Sequence, residues 1–500
     1  MQKNNNLIPY FAASHFQFLI LAAACAVLLS LLIPTTQYAD SSAPQGQLLV
    51  EHASGFAPLY ALLSTQGTQG LTYMVIASFV YLLLALFYWH FLHSINQTGA
   101  LTEALWHSRI HWGLLLCVWF GLLFAYPLLS DDAIAYLVHG RLAWIYQVNP
   151  YLSESRELLT NDSWHILLGP LQSLSSAYGP LWFYLSIPPV TMAGSSLPIA
   201  LIVLKGVNLL LLITCGVIIY HLLSERSIPQ RRGAVLALFW NPLVWLEVIW
   251  TGHNDIAMLV WILLALLAFQ RNRYVFAVCL LMAAVATKYV PLIIVSLVCA
   301  AIVRQQRLSS QDIWWTVIKS ICGSILVMAI AFLPIMWGNG TTIFAGLIGH
   351  ATKINPSIGA LVQEYGPAFV GHTIAQLIMP MLLIVLVLWQ TWRVWHGAAL
   401  PEAMLIVLLG YVFVISSWLM PWYGVWLIVL AVVVQSWLHH AVLSVTLILP
   451  AYYLINVIAL PAWFRVLILA IIPLILIAVY RTKPLIKQPL QASGPTPIQE

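Results

Sequence analysis

Two adjacent carboxylates, Asp131 and Asp132, are the side chains of this sequence best suited to accept a proton. They directly follow an apolar run that ends at Ser130, and charged side chains at the edge of a membrane segment are costly and therefore functional candidates. Neighbouring carboxylates repel each other, so one of them tends to take up a proton, as a general base must. A structural interpretation is also open: Ser130 or Asp131 caps a helix that runs from Asp132 to about Tyr146.

A polar turn, Gly252-His253-Asn254-Asp255, separates two segments that are otherwise almost wholly apolar. Consecutive imidazole, amide and carboxylate side chains at a membrane-embedded turn predict the lining of a site. The alternative reason is backbone geometry, because tight turns favour Gly, Asn and Asp. His253 and Asp255 are also a candidate metal-binding pair, although no third ligand stands at a recognisable spacing.

Lys288 is a lone cation in an apolar stretch, between Thr287 and Tyr289 and shortly before Pro291. A cation at this depth requires an anion, and a phosphate fits an ammonium group well. The alternative is snorkelling, in which the flexible stem carries the ammonium to the membrane surface.

Two further segments are predicted to face the same side as these motifs. A loop over residues 337–371 contains Glu364 and Tyr365, and loops longer than about 15 residues often serve as lids or binding loops. Trp422 and Tyr423 lie in an aromatic turn broken by proline. Aromatic side chains at that depth are typical of membrane interfaces, but they also stack on sugar rings and cover isoprenoid chains.

The composition shows what kind of chain positions these residues. Its 500 residues are 62% hydrophobic and 7% charged, whereas soluble domains are about 45–50% apolar and about 25% charged. Backbone groups inside lipid must bond to each other, so the long apolar runs predict transmembrane helices. The net charge is only +5, with the basic residues scattered over loops, which gives no support for nucleic-acid binding.

We therefore predict an all-α, polytopic transmembrane bundle of about thirteen to fourteen helices in one domain over residues 1–486, followed by a disordered cytoplasmic tail over 487–500. Its external loops are predicted at about 129–178 and 337–371. The apolar stretch 178–196 is broken by prolines, and we interpret it as an in-plane or re-entrant segment. The candidate spans are roughly 16–33, 71–92, 111–128, 197–221, 233–250, 256–270, 274–287, 289–303, 313–335, 372–392, 402–418, 422–438, 441–459 and 463–480.

The basic clusters orient this bundle in the plasma membrane. They all fall at the ends that the spans place on the side of Lys3, namely Arg226/Arg231/Arg232, Arg271/Arg273, Arg304/Arg307, Arg393 and Arg481/Lys483/Lys487. By the positive-inside rule that side is cytoplasmic, as are both termini. The motifs around Asp131, His253 and Lys288 then face the extracytoplasmic side.

The polar motifs, taken in order, resemble those of the GT-C superfamily of integral-membrane glycosyltransferases that use polyprenyl-phosphate sugars. The similarity extends from about Gly113 to Trp426 and is strongest to the bacterial lipomannan-type α-mannosyltransferases. Its motifs are Ser130-Asp131-Asp132 with Tyr136 and Gly140, Asn149-Pro150-Tyr151, Tyr178-Gly179-Pro180, Trp240-Asn241-Pro242, the turn over 252–255, Thr287-Lys288 with Pro291, and Pro421-Trp422-Tyr423.

The resemblance implies that a sugar, mannose in the lipomannan-type enzymes, moves from a polyprenyl-phosphate donor to an acceptor hydroxyl with inversion of the anomeric configuration. It implies that Asp131 or Asp132 is the general base, and we favour Asp131 because it lies nearest the helix exit. Lys288 would stabilise the leaving phosphate, with His253 or Arg141 as helpers. Metal dependence differs within the superfamily, so no cofactor is assigned and a divalent metal stays open.

The expected partners are the lipid-linked donor, a glycan or glycolipid acceptor and the bilayer. A flippase of lipid-linked sugars is the main alternative, but it would place charges at the midplane and on both faces of broken helices. A glycan polymerase or ligase ranks third, since only Arg141 and Arg156 stand in the loop that would bind a further phosphate. The remaining residues predicted to contact substrate are Tyr136, Asn254, Asp255, Glu364, Tyr365, Trp422 and Tyr423.

Overall fold

The computed structural model describes most of the chain between Gln69 and Thr482. The described residues are 69–97, 99–125, 127, 129–130, 132–151, 162, 176–308, 313–336, 358, 361, 377–416, 418–434, 436–457 and 460–482. Asp131, Glu364 and Tyr365 lie outside them, as do the predicted span 16–33, nearly all of the loop 337–371, and the tail. The predicted all-α class is confirmed, since the described ranges contain helices and no strand.

The helices are numbered here in chain order. They are α1 Gln69–Gln97, α2 Gly99–His107, α3 Arg109–Phe124, α4 Asp132–Trp144, α5 Pro180–Leu185, α6 Ile187–Met192, α7 Leu197–Leu222, α8 Ile228–Phe239, α9 Pro242–Trp250, α10 Asp255–Gln270, α11 Tyr274–Thr287, α12 Val295–Leu308, α13 Ile313–Met336, α14 Met379–Trp395, α15 Leu400–Gly410, α16 Tyr423–Ala431, α17 Leu438–Val445, α18 Ala451–Val457, α19 Ala462–Val466 and α20 Ile472–Thr482. A 3₁₀ segment, Val290–Ile294, leads into α12, and π-helical segments at Tyr411–Ile415 and Leu467–Ile471 extend α15 and join α19 to α20.

Within the described ranges, five helices are long and apolar enough to cross a membrane, or seven if each bent helix pair counts as one span. Shorter apolar helices coincide with further predicted spans: Arg109–Phe124, Asp255–Gln270, Tyr274–Thr287, Met379–Trp395 and Leu400–Ile415. The stretch 178–196 forms only the six-residue helices α5 and α6, which are too short to span a bilayer. The interpretation of this stretch as a non-spanning segment agrees with the structure.

The predicted span 233–250 is bent by 45° between α8 and α9. The residue before a proline is disfavoured in a helix, and here that residue, Asn241, ends one helix and begins the next. Its side-chain Oδ1 accepts hydrogen bonds from the N–H groups of Leu243 (2.9 Å) and Val244 (3.3 Å). The Trp240-Asn241-Pro242 motif thus has a structural role at this bend.

Arginines at the ends of helices contact the ends of neighbouring helices. Arg226, which follows α7, donates a hydrogen bond to the carbonyl of Val433 after α16 (3.1 Å), and Arg307 near the end of α12 lies 4.6 Å from the ring centre of Trp395 at the end of α14. Asp255 is the first residue of α10, and Arg271 directly follows its last residue. Lys288 likewise precedes α12, whose last turn contains Arg307. The polar turn therefore lies at the opposite end of these helices from Arg271 and Arg307.

A fully buried lysine holds the end of α3. Lys205 of α7 donates hydrogen bonds to the carbonyls of Leu122 (2.6 Å) and Ala125. The unpaired carbonyls at the C-terminus of a helix attract positively charged groups. Its stem lies beside Gly252, whose φ of +76° suits glycine. Lys205 thus ties the segment before Asp132 to the polar turn.

We predict that Asn241→Ala lowers the free energy of unfolding by about 1–2 kcal/mol, because it removes the cap of α9. Chemical unfolding of the detergent-solubilised protein, followed by tryptophan fluorescence, measures this. Thr214→Ala is the control, since the exposed Thr214 hydroxyl bonds only within its own helix, to Leu210. Equal stability of the two variants would contradict the capping role.

Candidate active site

Lys288 forms a buried ion pair with Asp255. Its Nζ lies 2.6 Å from Oδ1 of Asp255, and the two side chains are 14% and 1% exposed. The indole N–H of Trp426 donates to the same oxygen at 2.5 Å. The lone cation of the sequence therefore has its anion inside the protein, and its stem does not carry the ammonium to the protein surface as snorkelling would require.

Aromatic rings surround this ammonium. The Nζ atom of Lys288 lies 5.6 Å from the ring centre of Tyr178, 6.0 Å from that of Tyr423 and 5.4 Å from that of Trp426. Tyr423 and Trp426 stack on each other with ring centres 4.3 Å apart. Ring faces attract a cation within about 6 Å, so these three rings contribute to the binding of the Lys288 ammonium at this position.

Asp132 faces the same aromatic group. Its Oδ2 accepts hydrogen bonds from the hydroxyls of Tyr136 and Tyr178, each at 3.3 Å, and its side chain is 32% exposed. The N–H of Asp132 donates to Oγ of Ser130 at 3.2 Å, which agrees with a cap at the start of α4. Tyr178 therefore contacts both Asp132 and Lys288.

His253 lies between two carboxylates. Its Nδ1 is 2.9 Å from Oε2 of Glu247, and its Nε2 is 3.8 Å from Oδ2 of Asp132 and 3.2 Å from Oγ of Ser130. The imidazole stacks on Trp422 with ring centres 4.0 Å apart. Burial lowers the pKa of His253, but the hydrogen bond and charge of Glu247, with the charges of Asp132 and Asp255, outweigh it and raise the pKa.

Glu247 also belongs to the site, although it lies outside the sequence motifs. It is fully buried in a π-helical turn at the end of α9, and the hydroxyl of Tyr453 donates to both of its oxygens at 3.1 and 3.2 Å. The signal in the sequence was a single carboxylate within an apolar run. Nothing in the sequence links Tyr453 to this carboxylate, because the two residues are 206 positions apart along the chain.

Arg141 and Asn254 have different surroundings from the central residues. The guanidinium of Arg141 pairs with Asp162 and donates to the carbonyl of Gly194 at 2.7 Å, so its role as a helper for phosphate stays a prediction. Asn254 is 1% exposed, and neither atom of its carboxamide has a hydrogen-bond partner among the described residues; the same holds for Oδ2 of Asp255. These buried atoms therefore keep unused hydrogen-bonding capacity within the site.

The described ranges contain no group of three or more His, Cys, Asp or Glu side chains arranged to hold a metal. His253 and Asp255, the pair considered from the sequence, point to different partners, Glu247 and Lys288. A transfer assay with and without EDTA tests dependence on a divalent metal.

Glycine at position 179 allows the segment with Tyr178 to close on α11. The N–H of Gly179 donates to the carbonyl of Thr287 at 3.0 Å, and a Cβ at this position would overlap the carbonyl oxygen of Ala286. Only glycine fits this contact. Tyr178 is thereby held directly beside Lys288.

These features define a polytopic helical membrane protein with a carboxylate and a buried cation in one aromatic pocket, the class of the membrane glycosyltransferases. The model of the family described as "Alpha-(1->6)-mannopyranosyltransferase, N-terminal domain" matches residues 30–304. This match covers more than half of the chain, so the protein belongs to this family. The predicted resemblance to lipomannan-type mannosyltransferases is confirmed. No curated protein and no solved structure matches the chain. The matched region includes Asp132, Glu247, His253 and Lys288.

We predict that Gly179→Ala lowers the rate of mannosyl transfer by about 100-fold, because a shift of about 1 Å in a positioning element costs that much. Initial rates of the purified variant, beside its thermal unfolding midpoint, measure this. The matched control is Gly206→Ala, since a Cβ at this position of α7 meets nothing within 4 Å. A folded Gly179→Ala protein as active as the control would contradict the positioning of Tyr178.

Proposed function

We propose that the protein transfers mannose from a polyprenyl-phosphate donor to a hydroxyl of a glycan or glycolipid acceptor, with inversion at the anomeric carbon. The observation that carries this proposal is the contact of Tyr178 with both Asp132 and Lys288. A proton acceptor for the attacking hydroxyl and a cation for the leaving phosphate thus share one pocket. Catalysis of this kind usually depends most on preorganised charge at the position where charge develops in the transition state.

The ion pair with Asp255 does not prevent Lys288 from binding phosphate. An ammonium has three N–H donors, and one of them bonds to Oδ1 of Asp255. The other donors remain for oxygens of the leaving phosphate. Asp255 holds the ammonium in place, so the cation needs little reorganisation when the donor binds.

Asp132 is the carboxylate that we now place first as general base. Its Oδ2 accepts hydrogen bonds from Tyr136 and Tyr178, and it lies beside His253. As the acceptor oxygen bonds to the anomeric carbon and the bond to the phosphate oxygen breaks, Asp132 takes the hydroxyl proton. Asp131, favoured from the sequence, lies outside the described residues and is tested beside it.

The site is proposed to open on the extracytoplasmic side of the plasma membrane. Asp132, His253 and Lys288 lie at the end of the bundle opposite to Arg226 and Arg307. The positive-inside rule assigns the arginine end to the cytoplasm. A lipid-linked donor in the outer leaflet would present its phosphate near this site, with its isoprenoid chain in the bilayer.

We predict that Asp132→Asn lowers the transfer rate by about 100-fold or more, because the general base is lost. Lys288→Met should lower the rate by about 100- to 1,000-fold, because the leaving phosphate is no longer stabilised. The assay uses a short-chain polyprenyl-phosphate mannose and a synthetic mannoside in detergent, with and without EDTA. Mass spectrometry detects the product and NMR its anomeric configuration. Asp131→Asn is measured in parallel.

Glu103→Gln is the matched control, because Glu103 pairs with Arg232 at the arginine end of the bundle. Its rate should equal that of wild type. Loss of activity in Asp131→Asn with full activity in Asp132→Asn would move the base to Asp131. Folded wild type that transfers none of several lipid-linked sugars would contradict the transferase and favour the flippase.

A further inference from the structure

A fully buried carboxylate, Glu247, contacts the side of His253 that faces away from Asp132. Nδ1 of His253 lies 2.9 Å from Oε2 of Glu247, while Nε2 lies 3.8 Å from Oδ2 of Asp132 and 3.2 Å from Oγ of Ser130. Each ring nitrogen thus has its own carboxylate. The ring plane is fixed as well, because it stacks on Trp422 at an angle of 22°.

Folding alone gives little reason to keep an acid at this position. A buried ion pair is often replaceable by apolar residues of similar size without loss of stability, and α9 is otherwise apolar. Nevertheless Glu247 is well bonded: Tyr453 donates to both of its oxygens, and the hydroxyl of Thr251 lies 3.3 Å from Oε2 and 2.7 Å from Nδ1 of His253. These bonds hold the carboxylate in a single orientation, toward His253.

We propose that Glu247 is a positioning residue of the transferase site, which holds the His253 imidazole with its second N–H directed at Ser130 and Asp132. Through His253 it places a positive charge beside Asp132, the carboxylate that takes the acceptor's proton in the proposed reaction. This inference rests on the proposed function. Glu247 itself touches neither the substrate nor the reacting atoms, and His253 keeps both of its protons during transfer.

The charges around His253 are consistent with this arrangement. Glu247 faces it from α9, Asp132 from α4 and Asp255 from α10, and the phenol of Tyr453 on α18 reaches it through Glu247. On α7, the stem of Lys205 lies beside Gly252, while its ammonium bonds to carbonyls at the end of α3. Since Lys288 is paired with Asp255, a protonated His253, with Nε2 3.8 Å from Oδ2 of Asp132, supplies the positive charge beside that carboxylate.

Glu247→Gln tests the proposal, because glutamine keeps the volume and an acceptor oxygen for Nδ1–H but removes the charge. His253 then loses its buried counter-ion and becomes neutral, so ionised Asp132 loses a cationic neighbour. We expect the acidic limb of the kcat–pH profile to move up by about one pH unit. KM should change little, because the ground-state contacts with substrate are intact. Glu247→Asp restores the charge and should return the limb toward its wild-type position.

Glu103→Gln should leave the profile unchanged. A Glu247→Gln variant that is folded and shows the wild-type profile would overturn the proposal and leave Glu247 a structural residue. If Glu247→Gln does not fold, the kcat–pH profile of His253→Gln is compared with that of the double variant Glu247→Gln/His253→Gln. In the double variant both charges are removed together. Two residues that act through one contact are not additive, so the double variant should shift the profile no further. An additional shift would overturn the proposal.

NMR of ¹⁵N-histidine-labelled protein separates this inference from the proposed function. The His253 signal is identified by its loss in His253→Gln. We expect wild-type His253 to be protonated on both nitrogens at neutral pH and Glu247→Gln to lose one proton. Such a change in a protein that transfers no sugar would reject the transferase but retain the Glu247–His253 contact. A His253 that titrates identically in both proteins would overturn the inference whatever the activity.

Discussion

An ionised side chain among apolar helices is stable only when an opposite charge or several hydrogen-bond donors lie within a few ångströms. The polar turn at residues 252–255 meets this constraint for two pairs at once, since its histidine pairs with Glu247 and its aspartate with Lys288. Breaking a buried pair costs about 3–5 kcal/mol. The ends of α9, α10, α11 and α16 are therefore held in one arrangement, and Lys205, Asn241 and Gly179 each fix an element that leads into it.

The pattern of apolar runs was sufficient to predict the helices. Spans such as 197–221, 256–270 and 274–287 have boundaries within a residue or so of α7, α10 and α11, because polar or glycine-containing turns end each run. The bend inside the predicted span 233–250 was missed, although Pro242 marks it, since the residues on both sides are equally apolar. Hydropathy cannot distinguish one straight helix from two helices in series, the second of which begins after the Asn241 cap.

The site was predictable only as far as charge in an apolar segment revealed it. Asp132, His253, Asp255 and Lys288 were found in this way, and the structure brings them together. Their partners were not predictable, because the indole of Trp426 and the phenol of Tyr453 resemble any interfacial aromatic residue in sequence. Pairings such as that of Tyr453 with Glu247, 206 residues apart, depend on packing that a single sequence does not contain.

The shared pocket of Asp132 and Lys288 can be examined by cryo-electron microscopy of the protein with a non-transferable polyprenyl-phosphate mannose analogue. We expect an oxygen of the phosphate within hydrogen-bond distance of Nζ of Lys288, at about 2.7–3.0 Å. We also expect the anomeric carbon to lie beside Tyr178, facing the carboxylate of Asp132. A phosphate bound at the arginine end of the bundle, or a sugar remote from Asp132 with Lys288 still paired only to Asp255, would contradict the shared pocket.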